Sequence, residues 1–532
     1  MKHFGTSTAR QRISTTLRTR DALRVTRVFG GVLVPALRVG LSYLLPIAAL
    51  ATTGHLDLAP FAALGAFTSL YCRVDPYARR ARLLLVVGVG LTASTAAGAA
   101  TAASDAGGVA KVVVLTLVAT AAKLVADVLE LGPPGGLMFV FAAGAAAYSP
   151  QTWTGFSQVV AVTAASAGLS YLLSMSGAVL HPTGPHRLAT ARALLATADQ
   201  LESPSTDRRH RAHTALHRAL SEVHGHTQET AEELRAQLAH AAHLLHRPSG
   251  RSAGVSAEIS AQLRALARRC RRGGVPAADH ALPAPHPLPR RRRGPLAALA
   301  PYRSNAARMA LASLITGLAL AAFQLEHAYW AVVSVSSVLQ SQNATTTWHR
   351  AVQRCAGTAA GSVLALLIFA AHPSPWAMLV VIVVCQVAAE LVVMSNYGLG
   401  LTFATPLALC LAALSHPDHL GLVVERVTMT LVGAVIGVAV CAVLLNRRSA
   451  QRLREAVRSC QRATEELRSA PADAEARGRL LAAVFALRDA HHVVSGEFQR
   501  HPDPRLVLDT EHRAYQVLAD TAPSAAAQGS RA

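Results

Sequence analysis

Twelve apolar runs set what this chain can become. They fall at about 31–53, 58–72, 83–103, 110–130, 135–149 and 157–180, and again at 305–323, 328–341, 355–371, 375–394, 397–415 and 421–445. A helix needs about 20 apolar residues to cross a bilayer, so most of these runs read as membrane spans. The second and fifth runs are short. Composition agrees: only 15% of the 532 residues are charged, against about 25% in soluble proteins. Lys and Arg number 51 against 30 Asp and Glu, a formal net charge of +21. That excess would suit a nucleic-acid binder, but the bases border apolar runs, the pattern of a membrane protein that keeps its arginines on one side.

The fold expected is therefore all-α and polytopic, with two parallel repeats of about six transmembrane helices, each followed by a cytoplasmic helical region. The divisions are a basic N-terminus (1–30), a first membrane half (31–180), a helical region with a Pro/Arg-rich linker (181–303), a second membrane half (304–446) and a helical tail (447–532). Orientation follows from the short loops. The N-terminus (Lys2 to Arg27), the 72–82 loop, the 342–354 loop and the exit at Arg447 and Arg448 are basic, whereas 53–57, 324–327 and 416–419 hold no Lys or Arg. Both termini and both polar regions are thus expected in the cytoplasm of a multi-pass protein of the cell (inner) membrane. A cleaved leader is not expected, because the first apolar run is long and lacks a small-residue cleavage pattern.

The halves look like copies. A slide of 270 residues puts Ala36, Arg38, Leu41 and Leu44 on Ala306, Arg308, Leu311 and Leu314, and Arg80-Ala81 on Arg350-Ala351. The two arginine matches carry the weight. Six spans separate the copies, so they are expected to be parallel, related by an axis along the membrane normal.

The polar regions read as amphipathic helices at 187–203, 208–224, 227–246, 255–272, 448–469 and 474–499. Arg290–Arg293, just before the second half, enforces topology or meets anionic lipid. His213 and His217 have metal-sharing spacing, yet arginines surround them and no carboxylate or cysteine shares their register. A solvated basic face is the better reading. The seven cysteines lie singly and imply neither a disulfide framework nor a zinc site.

The second half carries a resemblance. Tyr329-Trp330-Ala331, Val338-Leu339-Gln340, Thr345–Thr347, Arg350, Arg354 and Gly357 to Gly361 resemble the signature of the fusaric acid resistance (FUSC) family, which is grouped with the aromatic acid exporters. Asn396-Tyr397, Thr405-Pro406, Arg426 and Gly433 are similar to the family's later motifs. The match covers about 305–445; the first half matches only in layout. The resemblance implies an inner-membrane efflux permease for aromatic carboxylic acids. Tyr329, Trp330, Asn396, Tyr397 and Arg426 become candidate substrate contacts.

Charged residues inside spans are functional suspects. Arg38 and Arg308 hold equivalent places in the first helix of each half and are candidate substrate ligands, with snorkelling as the rival reading. Lys123 and Asp127, four apart, can pair on one helix face. Glu390 has no basic residue at helical spacing, so it reads as an unpaired carboxylate and a candidate proton carrier. Glu390, Asp127 and Lys123 are the proton-coupling candidates. Gly357-xxx-Gly361 and Gly433-xxx-Gly437 read as helix packing stripes. Asn396-Tyr397 and Pro406 interrupt the pattern, as backbone does where it lines a cavity or is buried in protein.

Three function classes follow: a gradient-driven exporter of small organic anions, a passive anion channel, and a non-transporting scaffold working through its cytoplasmic helices. No GxxxxGK[ST] phosphate loop is present, which excludes an ATP motor within these residues. No GxSxG, HExxH or paired-acid motif argues for an enzyme. No cofactor or metal is expected. The partners expected are the lipid bilayer and a small organic anion, with no nucleic acid; homo-oligomerisation stays open.

Overall fold

A computed structural model describes residues 22, 33–149, 152–223, 229–246, 253–274, 299, 302–322, 328–341, 343–414, 419–444, 447–497 and 504–521. The basic N-terminal residues Lys2 to Arg20, Arg24 and Arg27, the Arg290–Arg293 run and the 324–327 loop lie outside them, as does most of 416–419. The described residues are all-α, and the chain divides into two compact units.

The first unit holds the apolar helices. Its first half runs α1 (Leu33–Thr52), α2 (Ala59–Ala66, flanked by 3-10 turns), α3 (Tyr77–Ala103), α4 (Gly108–Val128), α5 (Leu137–Ala147) and α6 (Trp153–Met175). After a single helical turn at Gly177–Leu180, four longer helices of the second unit follow among the described residues: α7 (Gly184–Glu202), α8 (Thr206–Val223), α9 (Glu229–His246) and α10 (Ala253–Arg272). The second apolar half runs α11 (Arg303–Ala321), α12 (Tyr329–Val338), α13 (Ala344–Ala370), α14 (Pro375–Val393), α15 (Tyr397–Ala413) and α16 (His419–Val443). Three more helices of the second unit close the chain: α17 (Arg447–Ser469), α18 (Ala474–Ser495) and α19 (Pro504–Asp520).

Among the described residues, eight helices are long and apolar enough to cross a bilayer. This is a multi-pass membrane protein. The other four of the expected six plus six, α2 with its flanking turns, α5, α12 and α15, are shorter apolar helices of 10–17 residues. Each half alternates long, short, long, long, short, long. The short helices escape the length rule because protein surrounds them: all ten residues of α12 are buried, as are seven of eight in α2. The long helices expose Val89, Leu117, Leu172, Val363, Val380 and Val435, apolar residues suited to lipid.

Side chains set where several helices begin. The hydroxyl of Thr152 accepts from Gly155 N at 3.2 Å, Asn343 Oδ1 from Thr346 N at 2.9 Å and Ser374 Oγ from Ala377 N at 3.3 Å. Each satisfies a backbone donor that the first turn leaves unpaired. The halves interlock: α1 packs on α14 and α11 on α4, while α5 packs on α12. Glycines make the closest approaches. A Cβ at Gly433 would strike the backbone of Ala331, and one at Gly357 would strike that of Gly398. Both glycine stripes are packing surfaces.

The second unit gathers α7–α10 and α17–α19 around two apolar clusters. Here the solvated reading of the histidines fails. His213 and His217 are buried, His213 stacked on Tyr515 at 5.3 Å and His217 edge-on to Phe485 at 5.8 Å. Their aromatic partners lie about 300 residues further along the chain, beyond the reach of helical periodicity. Arg488 of α18 joins this seam, paired with Glu511 at 2.7 Å and with Asp207. Helix α19 is not among the amphipathic stretches read from the sequence, which end at 499.

Candidate functional site

The second half builds a buried cationic site from α12, α13, α15 and α16. On α12, Trp330, Ser334 and Ser337 recur at four and three residues and so share a face. On α13, Arg350 and Arg354 are four apart and align likewise. Arg354, 2% exposed, donates from Nε to Ser334 Oγ at 2.9 Å and from Nη1 to Tyr397 Oη at 3.1 Å. Ser334 in turn donates to the carbonyl of Thr430 on α16 at 3.0 Å. Tyr397 Oη meets Ser337 Oγ at 2.5 Å, and the Arg350 guanidinium lies 5.5 Å from the Tyr397 ring.

Arg426 of α16 completes the site. It is 4% exposed, and its guanidinium sits 4.7 Å from the centre of the Trp330 ring. Its Nε and Nη1, with Nη2 of Arg354, find no hydrogen-bond partner among the described residues. Neither arginine has a carboxylate partner among them. The two guanidinium charges lie close enough to act on each other. Buried charge without a counter-ion is costly. An aromatic wall runs beside it: Trp330 against Tyr329 at 5.8 Å, and Tyr329 against Tyr148 at 5.5 Å and Phe141 at 6.3 Å.

Of the residues singled out in the sequence, the structure brings together Tyr329, Trp330, Tyr397 and Arg426. Asn396 plays another part: its Oδ1 accepts from Gly398 N at 2.8 Å and Leu399 N at 3.3 Å, capping α15 and so aiming Tyr397. Arg308 lies elsewhere, bonded to the carbonyl of Leu444 at the end of α16 and 3.6 Å from the carboxylate of Glu497. Arg38 makes the matching contact in the first half, a long 3.4 Å bond to the carbonyl of Ser174. Lys123 and Asp127 pair at 2.6 Å. Glu390 is corrected. It is in an ion pair with Arg73, at 2.7 and 3.0 Å, whose position 317 residues earlier hid it from helical spacing.

Arg354 had stood in the sequence only as part of a motif. Its signal was the i,i+4 step from Arg350, facing a Trp-Ser-Ser stripe. At the 270-residue offset the first half has Leu84 and Phe156 in place of Arg354 and Arg426.

Comparison with known proteins points to the same half. Residues 311–440 match the family described as fusaric acid resistance protein-like. The chain is 30% identical over 206 residues to the uncharacterized membrane protein YvaC of Bacillus subtilis (strain 168), a stretch covering 37% of this chain and 32% of that relative. The chain thus spans about a third of the length of the curated relative it matches. No solved structure matches. From Leu311 to Val440, the part that holds Arg354, Arg426 and their aromatic wall, the chain is similar to the fusaric acid resistance protein-like family.

Proposed function

We propose that the protein is an efflux permease of the cell (inner) membrane for small organic carboxylates, aromatic ones foremost, driven by an ion gradient. The carrying observation is the Arg354–Arg426 pair: two buried guanidinium groups with free N–H donors and no carboxylate among the described residues. An arginine fork grips a carboxylate through two parallel charge-assisted hydrogen bonds. Trp330 and Tyr329 offer flat apolar faces to a ring attached to that carboxylate. Tyr397, Ser334 and Ser337 hold Arg354 in place and add hydroxyls for a second polar group. The similarity to fusaric acid resistance proteins supports the same substrate class. The distribution of arginines in the loops supports a cytoplasmic location for both termini.

Coupling falls to Glu390 and Arg73, because their ion pair joins α14 of the second half to the loop before α3 of the first. Protonation of Glu390 would release Arg73 and loosen that link. A passive anion channel is the second reading, favoured by the pairing of every coupling candidate: Glu390 with Arg73, Asp127 with Lys123. Flux of benzoate in proteoliposomes, with and without an imposed pH gradient, separates the two. Uphill benzoate movement is expected; movement that only follows the benzoate gradient would leave the channel, and no movement of any organic anion would overturn transport.

A further inference from the structure

The first half holds a second cationic feature that the transport reading does not use. Arg38, Arg73, Arg80 and Ser174 line a small cavity at the ends of α1, α3 and α6, with about 10 Å³ open to the centre of a water-sized sphere. Arg80 is 4% exposed and Ser174 3%. Arg80 Nε and Ser174 Oγ have no hydrogen-bond partner among the described residues. The remaining bonds are few: Arg38 and Arg80 reach the same Ser174 carbonyl at 3.4 and 3.5 Å, and Arg80 Nη2 reaches the carbonyl of Arg73 at 2.9 Å. The carboxylates nearby are engaged by other arginines, Glu390 by Arg73 and Asp75 by Arg79 at 3.6 Å. Arg38 and Arg80 are left with no carboxylate of their own among the described residues.

The second half shows what such a place does with its charge. Arg308 stands 270 residues after Arg38, and Leu444 the same distance after Ser174. Arg308 bonds the Leu444 carbonyl at 2.8 Å through Nε and also through Nη2, and its Nη1 faces the buried Glu497 carboxylate at 3.6 Å. An in-chain anion therefore sits on the helix-end arginine of the second half. In the first half the corresponding arginine has a neighbouring arginine, a free hydroxyl and a cavity instead.

We infer that this cavity binds a small monatomic anion, of which chloride is the available kind. Three guanidinium groups supply the charge, and Arg80 Nε and the Ser174 hydroxyl supply unspent donors. The narrow space, about 10 Å³ for the centre of a water-sized sphere, favours one small ion over carboxylates and phosphates, which carry several heavy atoms. Bound chloride does for Arg38 and Arg80 what Glu497 does for Arg308. It also lies beside Arg73, so its occupancy bears on how firmly Arg73 holds Glu390.

The test is thermal unfolding of the full chain in detergent, with sodium chloride replacing sodium gluconate at constant ionic strength. A ligand that binds only the folded state raises Tm with the logarithm of its concentration once the site fills. Ser174→Ala keeps every guanidinium and removes one donor, and Arg38→Gln alters only a half-buried arginine; each should move the chloride dependence to about tenfold higher concentration, as losing one bond to a charged group does. Bromide should replace chloride and give anomalous scattering between Arg38 and Arg80. The inference is overturned if chloride and gluconate give the same Tm, or if the Ser174→Ala/Arg38→Gln variant keeps the wild-type chloride dependence. Equal stabilisation by acetate would overturn the monatomic assignment. None of these outcomes depends on transport.

Discussion

Replacing Arg426 with methionine separates a binding residue from a structural one, because the two roles predict opposite changes in stability. The guanidinium is 4% exposed and lies 4.7 Å from the Trp330 ring centre, with Nε and Nη1 unpartnered among the described residues. A desolvated cation–π contact contributes about 2 kcal/mol. Against it stands the penalty for an ion taken out of water, several kcal/mol. Methionine keeps the length and can pack its sulfur on the indole. Exchanging buried ions for apolar residues is neutral or stabilising by about 1–4 kcal/mol, so Arg426→Met should raise Tm. Binding moves the other way. Two hydrogen bonds to a carboxylate, at about 1.5–3 kcal/mol each, total about 3–6 kcal/mol, so benzoate affinity should fall by about 10²- to 10⁴-fold. Arg426→Lys keeps the charge but not the fork, and should lose about 10- to 150-fold. Isothermal titration with benzoate and thermal melts of the same preparations give both numbers. A destabilised Arg426→Met protein with wild-type benzoate affinity would refute the reasoning and leave Arg426 as packing.

Glu390→Gln mimics the protonated carboxyl, so gradient-driven benzoate export should stop while benzoate exchange continues; unchanged uphill export removes Glu390 from coupling. Because the variant leaves Arg73 without its carboxylate, Arg73→Gln/Glu390→Gln should recover part of any stability lost by Glu390→Gln alone, read from Tm. Glu511, buried in the second unit, has its carboxyl pushed up by burial, with Arg488 opposing. A raised folded pKa gives stability that is full below the ordinary carboxylate range and lost as pH rises through the folded value. The melting temperature of Glu511→Gln relative to wild type should therefore climb between pH 4 and pH 7; a constant difference would show that Glu511 does not titrate in this way. The exposed Ser203 and Ser469, changed to cysteine in a background free of native cysteines, should resist impermeant maleimide in intact cells until the membrane is opened. Ready labelling from outside would invert the topology.

What the sequence made legible was local or periodic. Runs of Val, Leu and Ala fixed the apolar helices and their order, and the shortness of two runs already hinted at helices that stop inside the protein. Tyr329, Trp330, Tyr397 and Arg426 were legible through a motif resemblance, not through spacing alone. What stayed hidden needed partners far along the chain. Arg73 meets Glu390 across 317 residues, Arg308 meets Glu497 across 189, and Tyr515 covers His213 across 302. A carboxylate with no base at i±4 looks unpaired on a helical wheel, whichever neighbour the fold later supplies. Arg38 and Arg308 show the complementary error: their repetition was visible, but their use at helix ends was not.

The short helix α12 has an electrical consequence. Ten residues span about 15 Å, half of a hydrocarbon core. Arg354 is the eleventh residue of α13 and Arg426 the eighth of α16, each about 10 Å or more from the nearer helix end. An anion reaching them has descended part of the transmembrane voltage. Moving one charge through the whole field is worth about 2.3 kcal/mol per 100 mV, so half the field contributes about 1.2 kcal/mol, or roughly sevenfold in occupancy. A cytoplasm-negative potential would favour filling of the site from the inside and, by the same amount, release from it to the outside. Under the proposed export, membrane voltage itself would then help set the direction in which a carboxylate leaves.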